Sequence, residues 1–526
     1  MDGSIKWPTE DDDPSDAGID AGDDESEVDD WDAAVAQCAL GIGCDKCVVY
    51  VDARSQCEEG CGASWERAIP TVQAGIDAAK ATAPCEVWVA SGLYYPSPEG
   101  GRDASIVLRT GVAVYGGFAG RERKRKDRDF ERNVTILSGD LGVVGDSSDN
   151  AYHVVLGADS ARIDGFTITG GQADGTAPAL QQDYALPFPQ ASGAGMLNKE
   201  VSPEVANCVF TRNWAKSGGA VFNVNSSVAF ANTGFVENTS LGTGGAVVNW
   251  DGAPVFSKCH FVRNSGEGGG ALYNYGCSPR IENSEFRENE ASAGGAIANS
   301  WATPELKGSS FVSNTARVGG AMQTDYTPGI RIEDCVFVGN ASVDNGGALH
   351  TTLSPLHIVS SIFVDNRSEN FGGAASSEGQ DAWLAIVNST FVNNSARLGG
   401  DVAYLNTPDS NNLSISNSIL WDNGGRPVMA VYKVPSIRYS DFEGGCSTEA
   451  DGGGCTTDDT GNIDADPLFA DPPERSSDGG VDLQFDVSLL SESPCIDRAD
   501  PSAAPEFDLR GHVRIDYPDL GAVESQ

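Results

Sequence analysis

Four aromatic residues, Trp250, Tyr275, Trp301 and Tyr326, follow one another at steps of 25 or 26 residues, in the segments NWDGAP, NYGCSP, NSWATP and TDYTPG. If equal positions of a repeat stack, the four align near one edge, with Tyr273 beside them. Flat apolar rings with a polar tip can stack on sugars, and they can equally shield a loop edge from water. Asp251, Asp325, Gln323 and His350 belong to the same segments. Glycoside hydrolysis needs two carboxyl groups about 5–10 Å apart. Asp251 and Asp325 stand about three repeats apart, which at the spacing of stacked strands is too far. Asp325 and His350 are therefore catalytic candidates without an assigned partner. His350 is either a general base or an outward histidine with no task.

Other chemistry is sparser. Asp140, Asp146 and Asp149 in SGDLGVVGDSSDN are candidate calcium ligands, as are Asp458, Asp459, Asp464 and Asp466 in TTDDTGNIDAD. Carboxylates suit that ion, but neither run has an EF-hand register, so calcium is an option and no cofactor is required. The five histidines form no metal-ligand spacing, and neither a GxSxG elbow nor a phosphate loop occurs. The basic run RERKRKDRD at 121–129 could dock an anionic polymer, but its interleaved acids favour a solvated loop.

What must position these residues is a repeat. Phe-x-x-Asn begins at Phe210, Phe235, Phe261, Phe286, Phe311, Phe337, Phe363 and Phe391, with Leu420 in the same role. Gly-Gly-Ala follows each, at Ala220, Ala246, Ala271, Ala296, Ala321, Ala348 and Ala374, and then as GGD at Asp401. After the alanine comes an apolar residue, a variable one, then Asn or Thr. Such alternation marks a strand with the apolar and Asn/Thr positions inside and the variable position facing out. A second strand carries an apolar residue five before the Phe and a small one two before it. Cys208, Cys259 and Cys335 fill that small position as core residues. Three short strands per unit of about 25 residues, and no helical period, predict stacked coils. The fold class is all-β, a single-stranded right-handed parallel β-helix of the pectin-lyase-like kind. Phe should stack on Phe, and Asn should bond to Asn above and below.

The ends need covers. PTVQAGIDAAKA, residues 70–81, has helical apolar spacing behind a proline and predicts a cap over the first coil. The expected organisation is an acidic disordered tether over 1–46, a β-helix over 47–440 with the GGA/FxxN coils at about 193–425, and an irregular cover over 441–526. A loop should leave the stack at 172–192.

The net charge of −42 argues against nucleic acid and against anionic membranes. No run approaches the roughly 18–20 apolar residues of a spanning helix. Cys44, Cys47, Cys57 and Cys61 lie close together, and Cys446 and Cys455 flank a Gly-rich loop. Close pairs in loops suit disulfides in an oxidising compartment, while the first four could also hold zinc. The export signal is expected outside this sequence, since no charged n-region and apolar h-region open it.

The paired GGA and Phe-x-x-Asn motifs resemble those of the polymorphic outer membrane protein family of bacterial surface adhesins and autotransporter passengers. VYVDA, SWERAIPTVQAGIDAA and VAVYGGFAG resemble the entry coils of bacterial secreted β-helix proteins. DPLF, SPCIDRADPS and DLGAVES resemble the ending of anchored surface proteins. The resemblance implies an extracellular or cell-surface, monomeric, non-enzymatic protein that adheres to a polysaccharide or a cell-surface partner. No C-terminal membrane barrel follows the motifs, so autotransport does not carry over. Parallel β-helices also host pectate lyases and polygalacturonases, so a polysaccharide lyase or glycoside hydrolase is the alternative.

Overall fold

A computed structural model of the chain describes residues 47–79, 86–96, 98–175, 189–408, 413–432, 434–444, 461–473, 484–514 and 517–525. The expected acidic tether, Cys44, Cys446, Cys455, Asp458 and Asp459 lie outside the described residues.

Strands wind from Val48–Val51 to Asp441–Phe442 as a parallel β-helix. Its four long sheets have 14, 13, 9 and 12 strands. We call them the aliphatic, phenylalanine, minor and asparagine sheets, in the order a coil visits them. One coil shows the plan: Val255–Ser257, His260–Val262, Ser265–Gly268, Leu272–Tyr275, then Arg280–Glu282 directly over the start. The coil therefore has four strands where the sequence predicts three. The minor strand, just after the Asn of Phe-x-x-Asn, is only two residues long in several coils, such as Thr239–Ser240. The expected loop at 172–192 begins in register, as Gln172–Ala173 is the first strand of the minor sheet, and its residues 176–188 lie outside the described residues.

The repeat motifs have separate physical duties. The phenylalanines of the Phe-x-x-Asn motif form one buried column, with centroids 4.6–5.3 Å apart and planes within 8°. From Asn213 to Asn423 each motif asparagine donates through Nδ2 to Oδ1 of the next, at 2.9–3.1 Å. A second ladder, Asn198–Asn223–Asn249–Asn274–Asn299, runs inside the asparagine sheet at 2.8 Å per step. Each amide thus satisfies a buried neighbour, which an apolar core could not do.

The glycine pair turns the corner for two reasons. Gly269 holds φ +66°, and a Cβ on Gly270 would stand 2.1 Å from the carbonyl oxygen of Gly295 in the next coil. In the last such corner the alignment shifts by one residue. Asp401 lies under Gly373, the second glycine, and Val402 takes the alanine's place, because the chain pairs Ala375 with Ala403. The Asp401 carboxylate closes that corner by accepting from Ala396 N at 2.6 Å and Arg426 N at 2.8 Å.

The predicted cap is the helix Val72–Ala78, started by Thr71, whose hydroxyl accepts from Ala74 N. It buries Val72, Gly75 and Ile76 against the first strands. The C-terminal segment does more than cover an end. Phe469, Phe485, Val487, Leu489, Leu520, Ala522 and Val523 pack on Val336, Val338, Ile362, Val364, Val392 and Ile419, along the outer face of the phenylalanine sheet.

Candidate functional site

Asparagine-sheet strands turn two side chains outward per coil. In register these form one row of Val248, Tyr273, Ala298, Gln323, His350, Ser376 and Tyr404, and another of Trp250, Tyr275, Ser300, Asp325, Thr352, Glu378 and Asn406. The residue after the second row is a corner at positive φ, occupied in turn by Asp251, Gly276, Trp301, Tyr326 and Leu353.

The aromatic stripe expected from the sequence is therefore two stripes. Trp250 and Tyr275 sit in the second row, with centroids 4.4 Å apart, whereas Trp301 and Tyr326 sit one position later, at the corner. Their surroundings differ accordingly. Trp250 and Tyr273 are half-buried against Phe222, Val224 and Val248, where they shield an apolar cluster. Trp301 and Tyr326 stack on each other at 5.1 Å and 8°, yet remain 60% and 46% exposed. On the side away from Tyr326, the corner neighbour of Trp301 is Gly276, which has no side chain. Beyond it stands Asp251, whose Oδ1 lies 2.6 Å from where a Cβ on Gly276 would be. The Asp251 carboxylate thus lies over the side-chain-free rung itself, next to the indole of Trp301 at about one strand spacing, roughly 5 Å.

The two rows also place small side chains between larger ones at the same edge. Ala298, which is buried, and Ser300 separate Tyr273 and Tyr275 on one side from Gln323 and Asp325 on the other. Gln323 Nε2 donates to Asp325 Oδ2. Burial pushes the Asp325 carboxyl above its ordinary range, against hydrogen bonds from Gln323 and Thr352 that favour the charged form. Two rungs on, burial likewise raises Glu378, opposed by Asn345 Nδ2 donating to Oε1 at 2.7 Å. Phe371 stacks on Tyr404 at 4.5 Å behind it. Burial, and secondarily Glu378, pushes the Tyr404 phenol up to about 12.

His350 points outward as expected but is buried. Its Nδ1 lies 2.7 Å from Ser376 Oγ and its Nε2 3.2 Å from Thr352 Oγ1. Burial lowers its pKa to about 4, so the ring is neutral at pH 7 with both nitrogens engaged. That arrangement orients neighbours and leaves no nitrogen for a substrate proton. Glu378 is not among the residues the sequence singles out, although its spacing marks it. Glu378 stands four residues after Ala374, just as Asp325 stands four after Ala321.

The remaining candidates do not converge. Asp140 accepts from Gly145 N, Asp146 from Ser148 N and Asp149 from Val143 N, so these carboxylates hold their own loop. Asp464 and Asp466 accept from Gly444 N and Leu468 N in the same manner. Among the described residues no three metal-ligating side chains form a group. Cys57 is bonded to Cys61, and Cys47 is disulfide-bonded too, which removes the zinc alternative. Cys208, Cys259 and Cys335 are free, buried thiols pushed up to about 12 by burial.

The basic run is a strap, more ordered than a solvated loop. Arg125 pairs with Glu86 at 2.8 Å and Arg128 with Asp164 at 2.5 Å, both guanidinium groups lying over Tyr115. Beside it is a hollow of about 530 Å³, lined by Arg121, Arg123, Arg132, Glu122, Asp127 and Asp129 among others. Three charges of each sign leave it no preference for an anion.

No protein-family model matches the chain, and no curated protein matches it. Among solved structures, the crystal structure of pectate lyase Pel9A resembles it at 14% identity and a TM-score of 0.38, over 93% of this chain and 98% of that one. No helix among the described residues is long and apolar enough to cross a membrane.

Proposed function

We propose that the protein is a secreted or surface-tethered β-helix whose asparagine-sheet face binds a neutral polysaccharide. The observation that carries this reading is the exposed Trp301 indole beside the Asp251 carboxylate at the Gly276 corner. A pyranose has a C–H face that packs on an exposed indole and hydroxyls that bond to a carboxylate, and Trp301 and Asp251 supply those two partners side by side. Tyr275 and Asp325, on either side of Ser300, repeat the pairing one position inward, so a chain of sugars meets like surfaces along the axis. Charge selects the neutral class. Asp251, Asp325 and Glu378 line the face, and the two rows from Val248 and Trp250 to Tyr404 and Asn406 carry no Lys or Arg. A polyuronate would meet only like charge there. The Cys57–Cys61 disulfide supports an oxidising compartment.

Affinity electrophoresis in gels containing β-1,4-xylan, mixed-linkage β-glucan, galactomannan or polygalacturonate tests the reading. Retardation is expected with at least one neutral polymer and not with polygalacturonate. Trp301→Ala should weaken it about tenfold, roughly 1.4 kcal/mol, whereas Leu241→Ala, an exposed apolar residue elsewhere, should not. Retardation by polygalacturonate alone, or indifference to Trp301→Ala, overturns the proposal.

A further inference from the structure

We propose that Asp441 and Cys495 form a pH-sensitive latch between the last coil and the C-terminal segment, closed while the Asp441 carboxyl holds a proton and loosened when it ionises. The latch is independent of what the asparagine-sheet face binds. Asp441 begins the final strand of the phenylalanine sheet, Asp441–Phe442, which pairs with Ile419 and Leu420. A bridge from Asp441 to Ile463 carries the pairing on into the C-terminal segment. The carboxyl therefore lies at the junction of stack and cover, and both Asp441 and Cys495 are fully buried there. Cys495 belongs to the apolar cluster that joins the segment to Val364, Val392 and Ile419. The donors to the carboxyl come from the segment: Ala465 N to Oδ1 at 3.2 Å and Cys495 Sγ to Oδ2 at 3.1 Å. The other charges facing it are acidic. Asp464 and Asp466 oppose its ionisation, Asp519 acts in the same sense on the thiol, and among the described residues no Lys, Arg or His forms an ion pair with Asp441.

A buried carboxylate without a counter-cation is costly, and a thiol is only a weak donor to it. Protonation removes the charge, and the new O–H donates to the sulfur in place of the reverse bond. Burial, with Asp464 and Asp466 adding to it, pushes the Asp441 carboxyl up to about 6 against its two donors. Burial, then Asp441 itself, pushes the Cys495 thiol up as well, so the sulfur keeps its proton throughout this range. Once the segment lifts away, the carboxyl returns to the ordinary 3.8. The closed form thus binds the proton more tightly than the open one. Closure gains from acidity, and that gain is lost as the pH rises from 3.8 to about 6. Above that range the apolar contacts alone hold the segment. The sense is opposite to that of His350, which resists protonation when folded, and the two groups lie on different sheets.

Amide hydrogen exchange on the full chain, corrected for the intrinsic rate at each pH, tests the latch. Amides around Ala465, Cys495 and Leu520 should be about tenfold better protected at pH 5 than at pH 7.5, a change absent around Phe261 and Phe286. Asp441→Asn, which does not titrate, should abolish that difference. Cys495→Ser gives the carboxylate a stronger donor and should move the midpoint to lower pH, whereas Cys495→Ala removes the donor and should move it higher, by about half a unit or more in each case. An equal pH response in the wild type and Asp441→Asn overturns the proposal, as do midpoint shifts of the same sign in the two Cys495 variants. If Asp441→Asn leaves the segment unprotected at every pH, the signs of those two shifts decide alone.

Discussion

His350 shows what a strand pattern says about one residue and what it omits. Alternation correctly directs the ring outward, but an outward side chain is exposed only if nothing from its own or adjoining coils covers it. Here the ring is buried beside Ser376 and Thr352, and its pKa falls to about 4 from the ordinary 6.5. A lowered pKa in the folded state means the unfolded chain binds the proton first as acidity rises. Stability linked to His350 is therefore intact above pH 6.5 and lost progressively between pH 6.5 and about 4. By pH 4.5 the loss amounts to roughly 2–3 kcal/mol. Urea midpoints for the wild type and His350→Gln, measured at pH 7 and pH 4.5, check this. The variant should lose less on acidification than the wild type by about that amount, and an equal loss in both would show that the ring titrates freely.

Corners and ladders decide the elements. The second glycine of each pair has no room for a Cβ, because the next coil's backbone already occupies the place. At Gly270 the added atom would meet the Gly295 carbonyl oxygen at 2.1 Å and the Glu290 carbonyl oxygen at 2.7 Å. Both contacts are with backbone, so no side-chain rotation relieves them. Gly270→Ala is expected to cost about 3 kcal/mol or more in chemical unfolding. Gly425→Ala, where nothing lies within 4 Å, should change stability by less than about 0.5 kcal/mol. Equal effects would remove the steric explanation of the motif. Much of this was legible beforehand, because Phe, Asn and Gly-Gly serve duties that repeat in each coil and so leave a period in the sequence. The fourth strand was not, since two residues such as Thr239–Ser240 are too short to show alternation. The split of the aromatic stripe was hidden for another reason. Trp250 and Trp301 differ by a single position, and only the left-handed corner turns that into a different direction and a different exposure. Glu378 is readable from its distance to Ala374, which equals that of Asp325 from Ala321.

In the whole molecule, coils contact mainly their neighbours, so stability is close to a sum of local terms. The C-terminal segment breaks that rule. It lies across several coils at once, joining Val336, Val364, Val392 and Ile419 into one apolar cluster with Phe485, Leu489 and Val523. It is pinned by Gly521 N donating to Asn417 O at 2.8 Å, Ala522 N to Thr390 Oγ1 at 3.0 Å and Asn388 Nδ2 to Asp519 O at 3.2 Å. A buried Arg514–Glu524 pair at 2.8 Å fixes the segment's own fold. Those same coils carry Glu378 and Tyr404 on the asparagine sheet, so the cover also holds one end of the proposed site in place. A chain ending at residue 473 would present the outer apolar residues of the phenylalanine sheet to water, a loss of about 1.5–3 kcal/mol for each large side chain uncovered. The coils around Phe210–Phe311 lie outside this cluster and keep their stacks. Thermal unfolding of the shortened chain should therefore divide into two steps, the earlier one in the coils from about Val336 onward. Light scattering should show self-association, and a hydrophobic dye should bind before that first step. A single transition at the full chain's temperature, with no association, would mean that the cover contributes nothing to the coils beneath it.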